Sequence, residues 1–113
     1  MTRRAVDVIE EALARPNDAD EALREVVRVL ADEPGIGWAG IAFVEAGALV
    51  LGPSAGVEDP SRRKRATISF KGEPVGELRV DGDADEALLA RIARLLSAHV
   101  LLGWDTAGEA WEP

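Results

Sequence analysis

The chain has 113 residues, enough for one domain, and 47% of them are apolar while only 4% are aromatic, so the core must consist mainly of Ala, Val, Leu and Ile. The formal charge of −8 repels nucleic acid and anionic membranes, and we expect neither as a partner. Because the chain has no cysteine and one histidine, thiolate catalysis, disulfides and multi-histidine metal sites within one chain are excluded. We predict no catalytic residue, no metal and no cofactor.

The N-terminal segment favours a cytoplasmic protein. Asp7 and Glu10 interrupt the apolar run that a signal peptide requires. No segment of the sequence approaches the roughly 20 apolar residues of a membrane-spanning helix.

Two helices are predicted before the first strand. Residues 4–15 carry an apolar stripe at helical spacing, formed by Val6, Ile9 and Leu13. After a break at residues 16–18, Asp18 and Glu21 resemble a capping box that opens a second helix. The buried stripe of this second helix is predicted to be Leu23, Val26, Val27 and Leu30.

The first predicted hairpin pairs residues 38–44 with residues 48–51. The first strand is apolar or small on both faces, which predicts a central strand covered on both sides. We expect Trp38 to fill the core where the helices meet the sheet, with a stacking platform for a flat ligand as the alternative. Residues 45–47 suit a three-residue loop, and residues 53–61 are predicted to be a further loop.

A second hairpin is predicted from residues 65–71 and 75–80, with a turn at residues 72–74 and one apolar and one polar face. A long helix follows from Ala84 to about Leu102, opened by Asp83 and Glu86 and ended by Gly103. Its apolar stripe is predicted to be Leu88, Leu89, Ile92, Leu95, Leu96 and Val100.

The order of these elements predicts an α+β domain over residues 1–103, with an antiparallel sheet of about four to five strands and helices packed on one face. Residues 104–113 form an acidic tail with two tryptophans, Trp104 and Trp111. These tryptophans either fold back onto the domain or anchor a contact with another subunit.

Two hairpin motifs resemble those of GAF domains, most closely the free methionine-(R)-sulfoxide reductase branch. The first motif is Trp38-Ala39-Gly40-Ile41-Ala42 followed by Leu49-Val50-Leu51-Gly52-Pro53-Ser54-Ala55-Gly56. The second is Ile68-Ser69-Phe70 followed by Val75-Gly76-Glu77-Leu78-Arg79-Val80-Asp81-Gly82. The resemblance covers roughly residues 20–103 and implies a GAF-like sheet with a ligand pocket on its polar face.

Three departures from the family pattern argue against reductase activity. The resemblance implies catalytic cysteines between the two hairpins, and the chain has none. It also implies a longer pocket wall than residues 54–64 can supply. Arg79 stands where the family has an acidic residue that helps to hold an amino group, and a guanidinium there favours a carboxylate or phosphate instead.

The preferred hypothesis is a non-catalytic regulatory or scaffold domain that self-associates as a homodimer. The candidate interface residues are Val6, Ile9, Leu13, Leu96 and Val100. An alternative is a sensor that binds a small anion or carboxylate on the polar sheet face. Its candidate ligand-binding residues are Trp38, Arg65, Thr67 and Arg79.

Two further hypotheses stay open, an enzyme of unrecognised type and an acidic protein-interaction module of another α+β fold. The basic run at residues 62–65 is interpreted as a solvated strand entrance that protects a sheet edge, or as part of the anion site. His99 is interpreted as a packed or partly exposed helix residue near a helix C-terminus, where its charge would suit the helix dipole.

Overall fold

Four antiparallel strands form one sheet, in which they lie side by side in the order Ala48–Gly56, Ile36–Glu45, Glu73–Gly82 and Arg63–Phe70. The computed structural model describes residues 3–14 and 19–109, and the side chains of residues 5–14 and 19–100. The elements are α1 (Arg3–Ala14), α2 (Ala19–Ala31), β1 (Ile36–Glu45), β2 (Ala48–Gly56), a 3₁₀ turn (Pro60–Arg62), β3 (Arg63–Phe70), β4 (Glu73–Gly82) and α3 (Glu86–Glu109). The predicted α+β class is confirmed.

The helices cover one face of the sheet, here called the inner face. Helix α2 packs on β1 and β2, α3 packs on β3 and β4, and α1 packs on the other two helices. The predicted stripe of α2 is confirmed, since all four of its side chains are buried. The core joins these helices to the inner face through Ile41, Ile68, Leu78, Val80, Leu89, Ile92 and Leu96.

Strand β1 is central and buried on both faces, as its sequence predicts. Ala39 and Ile41 point to the inner face and belong to the helix-covered core. Trp38 and Ala42 point to the opposite face and are also buried.

Both hairpins close with two-residue loops, so the predicted three-residue loop and the predicted turn at residues 72–74 are wrong. Glu45 pairs directly with Ala48, which leaves Ala46 and Gly47 as the loop. Their φ angles are 51° and 81°, and those of Lys71 and Gly72 are 54° and 83°. Two successive positive φ angles characterise the type I′ turn, whose twist matches that of the flanking strands.

Strand β2 continues to Gly56, beyond the predicted end at Leu51, because β1 offers a partner along its whole length. Trp38 pairs with Gly56 at the far end of this ladder. Pro53 does not stop the strand because it falls in a bulge, between the Gly40–Ser54 and Ala42–Leu51 pairs. A bulge tolerates a residue that has no N–H to donate.

Helix α3 starts later and ends later than predicted. The Asp85 carboxylate accepts a hydrogen bond from the Ala87 N–H at 2.9 Å, so Asp85, not Asp83, caps the helix. The helix continues through Gly103 to Glu109, because a glycine inside a helix costs only about 1 kcal/mol relative to alanine. None of the helices in the described ranges has the length and apolarity needed to cross a bilayer.

The dimer-interface residues proposed from the sequence are buried within one chain. Val6, Ile9, Leu96 and Val100 are each at most 2% exposed, and Leu13 packs half-buried against the core. Their apolar spacing is explained by packing between the helices of one chain. Asp18, the Trp104 side chain and Trp111 lie outside the described part of the chain.

Candidate functional site on the outer sheet face

The polar face of the sheet, here called the outer face, carries all four predicted ligand-binding residues. In the strand register, Trp38 lies opposite Asp81, and Gly40 lies opposite Arg79. Across the next ladder Arg79 lies opposite Arg65, and Glu77 lies opposite Thr67. Directly paired residues point to the same side of a sheet, and side chains alternate along each strand.

The most buried polar group of this face is Asp81, which is 1% exposed. Its carboxylate accepts two hydrogen bonds from Arg63, from Nε at 2.7 Å and from Nη2 at 2.9 Å. A third comes from the backbone N–H of Asp59 at 2.7 Å. The pair is therefore bidentate, and it ties the connection between the hairpins to the end of β4.

These contacts shift both pKa values. The hydrogen bonds from Arg63 hold the pKa of the Asp81 carboxyl below its ordinary value of 3.8, although burial acts in the opposite direction. The hydrogen bond to Asp81 raises the pKa of the Arg63 guanidinium. Both groups are therefore charged at neutral pH, and neither is available as a proton donor or acceptor there.

Trp38 lies on the outer face and not in the helix-packed core where the sequence analysis placed it. A Cβ built on Gly40 would stand 2.6 Å from Cη2 of the indole, so Trp38 lies across Gly40. The Arg63 guanidinium stacks over the indole, 4.5 Å from the ring centroid. Because Arg63 already occupies this ring, Trp38 does not present it as a free stacking platform.

Arg65 and Arg79 share one carboxylate. The Nε of Arg79 donates to Glu77 Oε1 at 2.7 Å, and the Nε of Arg65 lies 3.6 Å from the same oxygen. Glu77 and Arg79 are mostly buried, whereas the Arg65 side chain is 58% exposed. Of the two arginines predicted to bind an anion, Arg65 is the one open to solvent.

The basic run at residues 62–65 is partnered residue by residue, although the Arg62 and Arg65 side chains remain 48% and 58% exposed. Arg62 donates to Asp83 at 2.9 Å, and Lys64 donates to the Ala84 carbonyl at 2.7 Å. Arg63 also donates to Glu58 at 3.0 Å. These contacts fix the start of β3 to the segment that leads into α3.

A cleft of about 460 Å³ lies where β3, an edge strand, meets α3. Arg65, Thr67 and Ser69 line it from β3, and Glu86 and Arg94 line it from α3. Two guanidinium groups and two hydroxyls suit an oxyanion, while Glu86 lowers the positive potential. Arg94 was missing from the predicted site because its proximity to Arg65 depends on how α3 packs. Ser69 was also missing, although its place in β3 beside Thr67 follows from strand alternation.

His99 is half-buried, as predicted, but it lies ten residues before the end of α3 at Glu109 and not near the helix C-terminus. Its ring connects two helices. Its Nε2 lies 3.0 Å from the Leu13 carbonyl at the end of α1. Nδ1 is buried without a hydrogen-bond partner in the described structure. The contact with the Leu13 carbonyl joins α3 to the end of α1.

Sequence reasoning treated Arg63 only as one member of the basic run at residues 62–65 and assigned Asp81 no role on this face. Alternation along β4 assigns Glu77, Arg79 and Asp81 to one face, but it does not show which of them is buried. Burial of Asp81 results from the return of the chain at Asp59, a contact across 22 positions.

No family model matches the sequence, and no curated protein sequence matches it. Solved structures do match. The free methionine-R-sulfoxide reductase of Neisseria meningitidis in complex with its substrate is 16% identical, with a TM-score of 0.71 over 94% of this chain and 95% of that chain. The corresponding Staphylococcus aureus enzyme (fRMsr), also in complex with substrate, is 15% identical, with a TM-score of 0.70 over 86% and 94%.

A GAF domain from another protein matches equally well. The nlh2 GAF domain of A. aeolicus, in an inactive state, is 18% identical, with a TM-score of 0.69 over 88% of this chain and 95% of that chain. At these identities the likeness concerns the fold. The protein therefore has the fold of a GAF domain and is similar to solved structures of the reductases and to that of a GAF domain from another protein.

Proposed function

We propose that the protein is a non-catalytic regulatory or scaffold domain that acts by self-association. The observation that carries this proposal is that the part of the outer face around Trp38 is filled by the chain's own side chains. Trp38 covers Gly40, Arg63 covers Trp38, and Asp81 neutralises Arg63. A ligand that entered this part of the face would have to displace an ion pair and an indole.

The absence of cysteine supports the non-catalytic part of the proposal. The resemblance to the reductases implies thiolate chemistry, and the chain has no thiol. Incubation with free methionine sulfoxide and a dithiol reductant should give no methionine above the rate without protein. Turnover that is abolished by Arg65→Gln and retained by Arg91→Gln would contradict the proposal.

Self-association is tested by sedimentation equilibrium over a concentration series from nanomolar to millimolar. We expect a reversible monomer–dimer equilibrium with a dissociation constant of about micromolar. The described chain exposes few large apolar residues, namely Leu49, Val50, Leu51 and Val57, and an interface built on them lies at the small end of interface sizes. A constant monomer mass over the whole series would contradict the proposal.

The cleft between β3 and α3 favours a second candidate function, a sensor for small anions. The exposed Arg65 side chain, together with Arg94 and two hydroxyls, gives an oxyanion several donors. Thermal-shift measurements with phosphate, sulfate and a dicarboxylate test this candidate. Stabilisation should be lost in Arg94→Gln and retained in Arg91→Gln, since Arg91 is exposed on the same helix outside the cleft. If none of these anions stabilises the protein, the sensor function is wrong.

A further inference from the structure

The two edges of the sheet differ in how they are protected. Strand β3 forms one edge and carries the basic run at residues 63–65. Charges of this kind discourage pairing with another strand. Strand β2 forms the other edge, and residues 46–57 contain no charged side chain although 30% of the chain is charged.

Only the second half of β2 carries a protective feature. The bulge at Gly52 and Pro53 disrupts pairing there, because the strand is locally irregular and proline has no N–H. The first half is regular and apolar. Leu49, Val50 and Leu51 are each 44–45% exposed, which makes them three of the four exposed large apolar residues in the described chain.

The hairpin geometry determines which backbone groups of β2 face the open edge. Glu45 and Ala48 flank a two-residue loop and pair with each other, and such a flanking pair exchanges hydrogen bonds. Hydrogen-bonded and non-bonded pairs then alternate, so Ala48 and Val50 bond toward β1. The N–H and C=O groups of Leu49 and Leu51 point away from β1 and have no strand beside them in the described sheet.

We propose that β2 pairs with β2 of a second copy of this chain, antiparallel about a two-fold axis at Val50. This inference rests on the proposed self-association and names its interface. In this register Leu49 and Leu51 of each copy form hydrogen-bonded pairs with Leu51 and Leu49 of the other. The two β2 strands then join two four-stranded sheets into one continuous sheet, and the leucines of both copies cover each other on the outer face.

A second copy is favoured over another partner because of charge and symmetry. Two chains of charge −8 repel each other, and contact is least costly where charge is absent. The segment Leu49-Val50-Leu51 reads the same in both directions. An antiparallel second copy therefore places leucine opposite leucine and valine opposite valine, as an isologous two-fold interface requires. Pro53 would face the hairpin loop of the other copy, outside the two bonded pairs, so its missing N–H does not interrupt the ladder.

A cysteine cross-link tests the register directly, since the chain has no cysteine of its own. Val50 faces its symmetry equivalent as a non-bonded pair, whose Cα atoms lie about 4.5 Å apart. That spacing lies within the range of about 4.4–6.8 Å for a disulfide. Under mild oxidation Val50→Cys should form a covalent dimer, whereas Val57→Cys, the matched control, should stay mainly monomeric. Val57 is 82% exposed but lies seven residues from the axis.

Substitution by charged residues tests the same interface without a covalent cross-link. Leu49→Lys combined with Leu51→Lys should raise the dimer dissociation constant at least tenfold, while Val57→Lys should leave it unchanged. Added lysines lower the net negative charge, so general repulsion cannot cause the loss. Unchanged far-ultraviolet circular dichroism would show that both variants are folded.

The outcomes separate the interface from the proposed function. If the wild type dimerises, but Val50→Cys does not cross-link and the double lysine variant still dimerises, the β2 interface is wrong and self-association survives. If the wild type stays monomeric at millimolar concentration, both proposals are wrong. Binding of an extended peptide at Leu49 and Leu51 by a monomeric wild type would assign the edge to another protein and would also overturn the second copy as its partner.

Discussion

At the scale of single residues, one buried ion pair organises the outer face. Asp81 receives hydrogen bonds from Arg63 and from the Asp59 backbone, and Arg63 in turn covers Trp38. A buried pair of this kind contributes little net stability compared with an apolar replacement, but removal of one partner leaves an uncompensated charge. The energetic role of the Arg63–Asp81 pair is therefore best measured by neutralising one of its two residues.

Asp81→Asn should lower the free energy of unfolding by about 3 kcal/mol, because Arg63 loses its bidentate partner while its side chain stays mostly buried. Asp83→Asn is the matched control, since the Asp83 side chain is 86% exposed and pairs with Arg62. It should cost less than about 1 kcal/mol. Urea unfolding measures both, and equal losses would show that the burial of Asp81 has no energetic consequence.

The lowered pKa of Asp81 predicts an acid dependence of stability. A carboxyl whose pKa is lower in the folded chain than in the unfolded chain stabilises the fold at pH values above its unfolded pKa, which is near 3.8 for Asp81. This contribution is lost as the pH falls through the folded pKa. The difference in unfolding free energy between wild type and Asp81→Asn should therefore shrink in acid below pH 3.8. A difference that stays constant through that range would contradict the assigned ion pair.

Gly40 has a packing role that can be tested by adding one methyl group. A Cβ at Gly40 would lie 2.6 Å from the Trp38 ring, so Gly40→Ala must displace the indole and should cost about 1–3 kcal/mol. Gly37→Ala, in the same strand, places its Cβ 3.7 Å from the nearest atom and should be nearly neutral. Thermal unfolding measures the stability of both variants relative to wild type. If Gly40→Ala left the stability unchanged, the placement of Trp38 across Gly40 would be wrong.

At the scale of elements, the two hairpin turns are more constrained than their sequences indicate. Ala46 and Lys71 both adopt positive φ, which favours glycine or asparagine over other residues. Sequence reasoning allowed a longer loop because alanine and lysine do not predict this backbone conformation. The tight loops fix the register of each hairpin and hence the faces to which Arg65, Arg79 and Leu49 belong.

Ala46→Asn should raise the free energy of unfolding by about 0.5–1 kcal/mol, because asparagine tolerates a positive φ better than alanine does. Ala46→Val is the matched control and should lower it, since a β-branched side chain is strained there. Chemical denaturation gives both values. Stabilisation by valine would show that the loop is not a type I′ turn.

At the scale of the whole molecule, net charge opposes the proposed self-association. Each copy carries −8, and salt screens repulsion over about 10 Å at 0.1 M ionic strength. The dimer dissociation constant should therefore fall several-fold between low salt and physiological salt in sedimentation experiments. An interface that consisted of ion pairs between copies would show the opposite trend.

Some features of this protein follow from the sequence because they are local. The apolar spacing of α2, the two-sided burial of β1 and the order of helices and strands all derive from periodicities of 3.6 and 2. The hairpin motifs were sufficient to indicate the GAF fold, and the absence of thiols restricts the chemistry whatever the structure.

The rest depends on contacts between distant segments, which no local pattern encodes. Helical spacing shows that Val6 and Leu96 are buried, but only the packing of the three helices shows that they are buried within one chain. Charge alternation places Asp81 and Arg79 on one face, while the return of Asp59 decides that Asp81 is the buried one. Strand order likewise leaves β2 at an edge, because pairing between strands depends on the whole sheet and not on any strand alone.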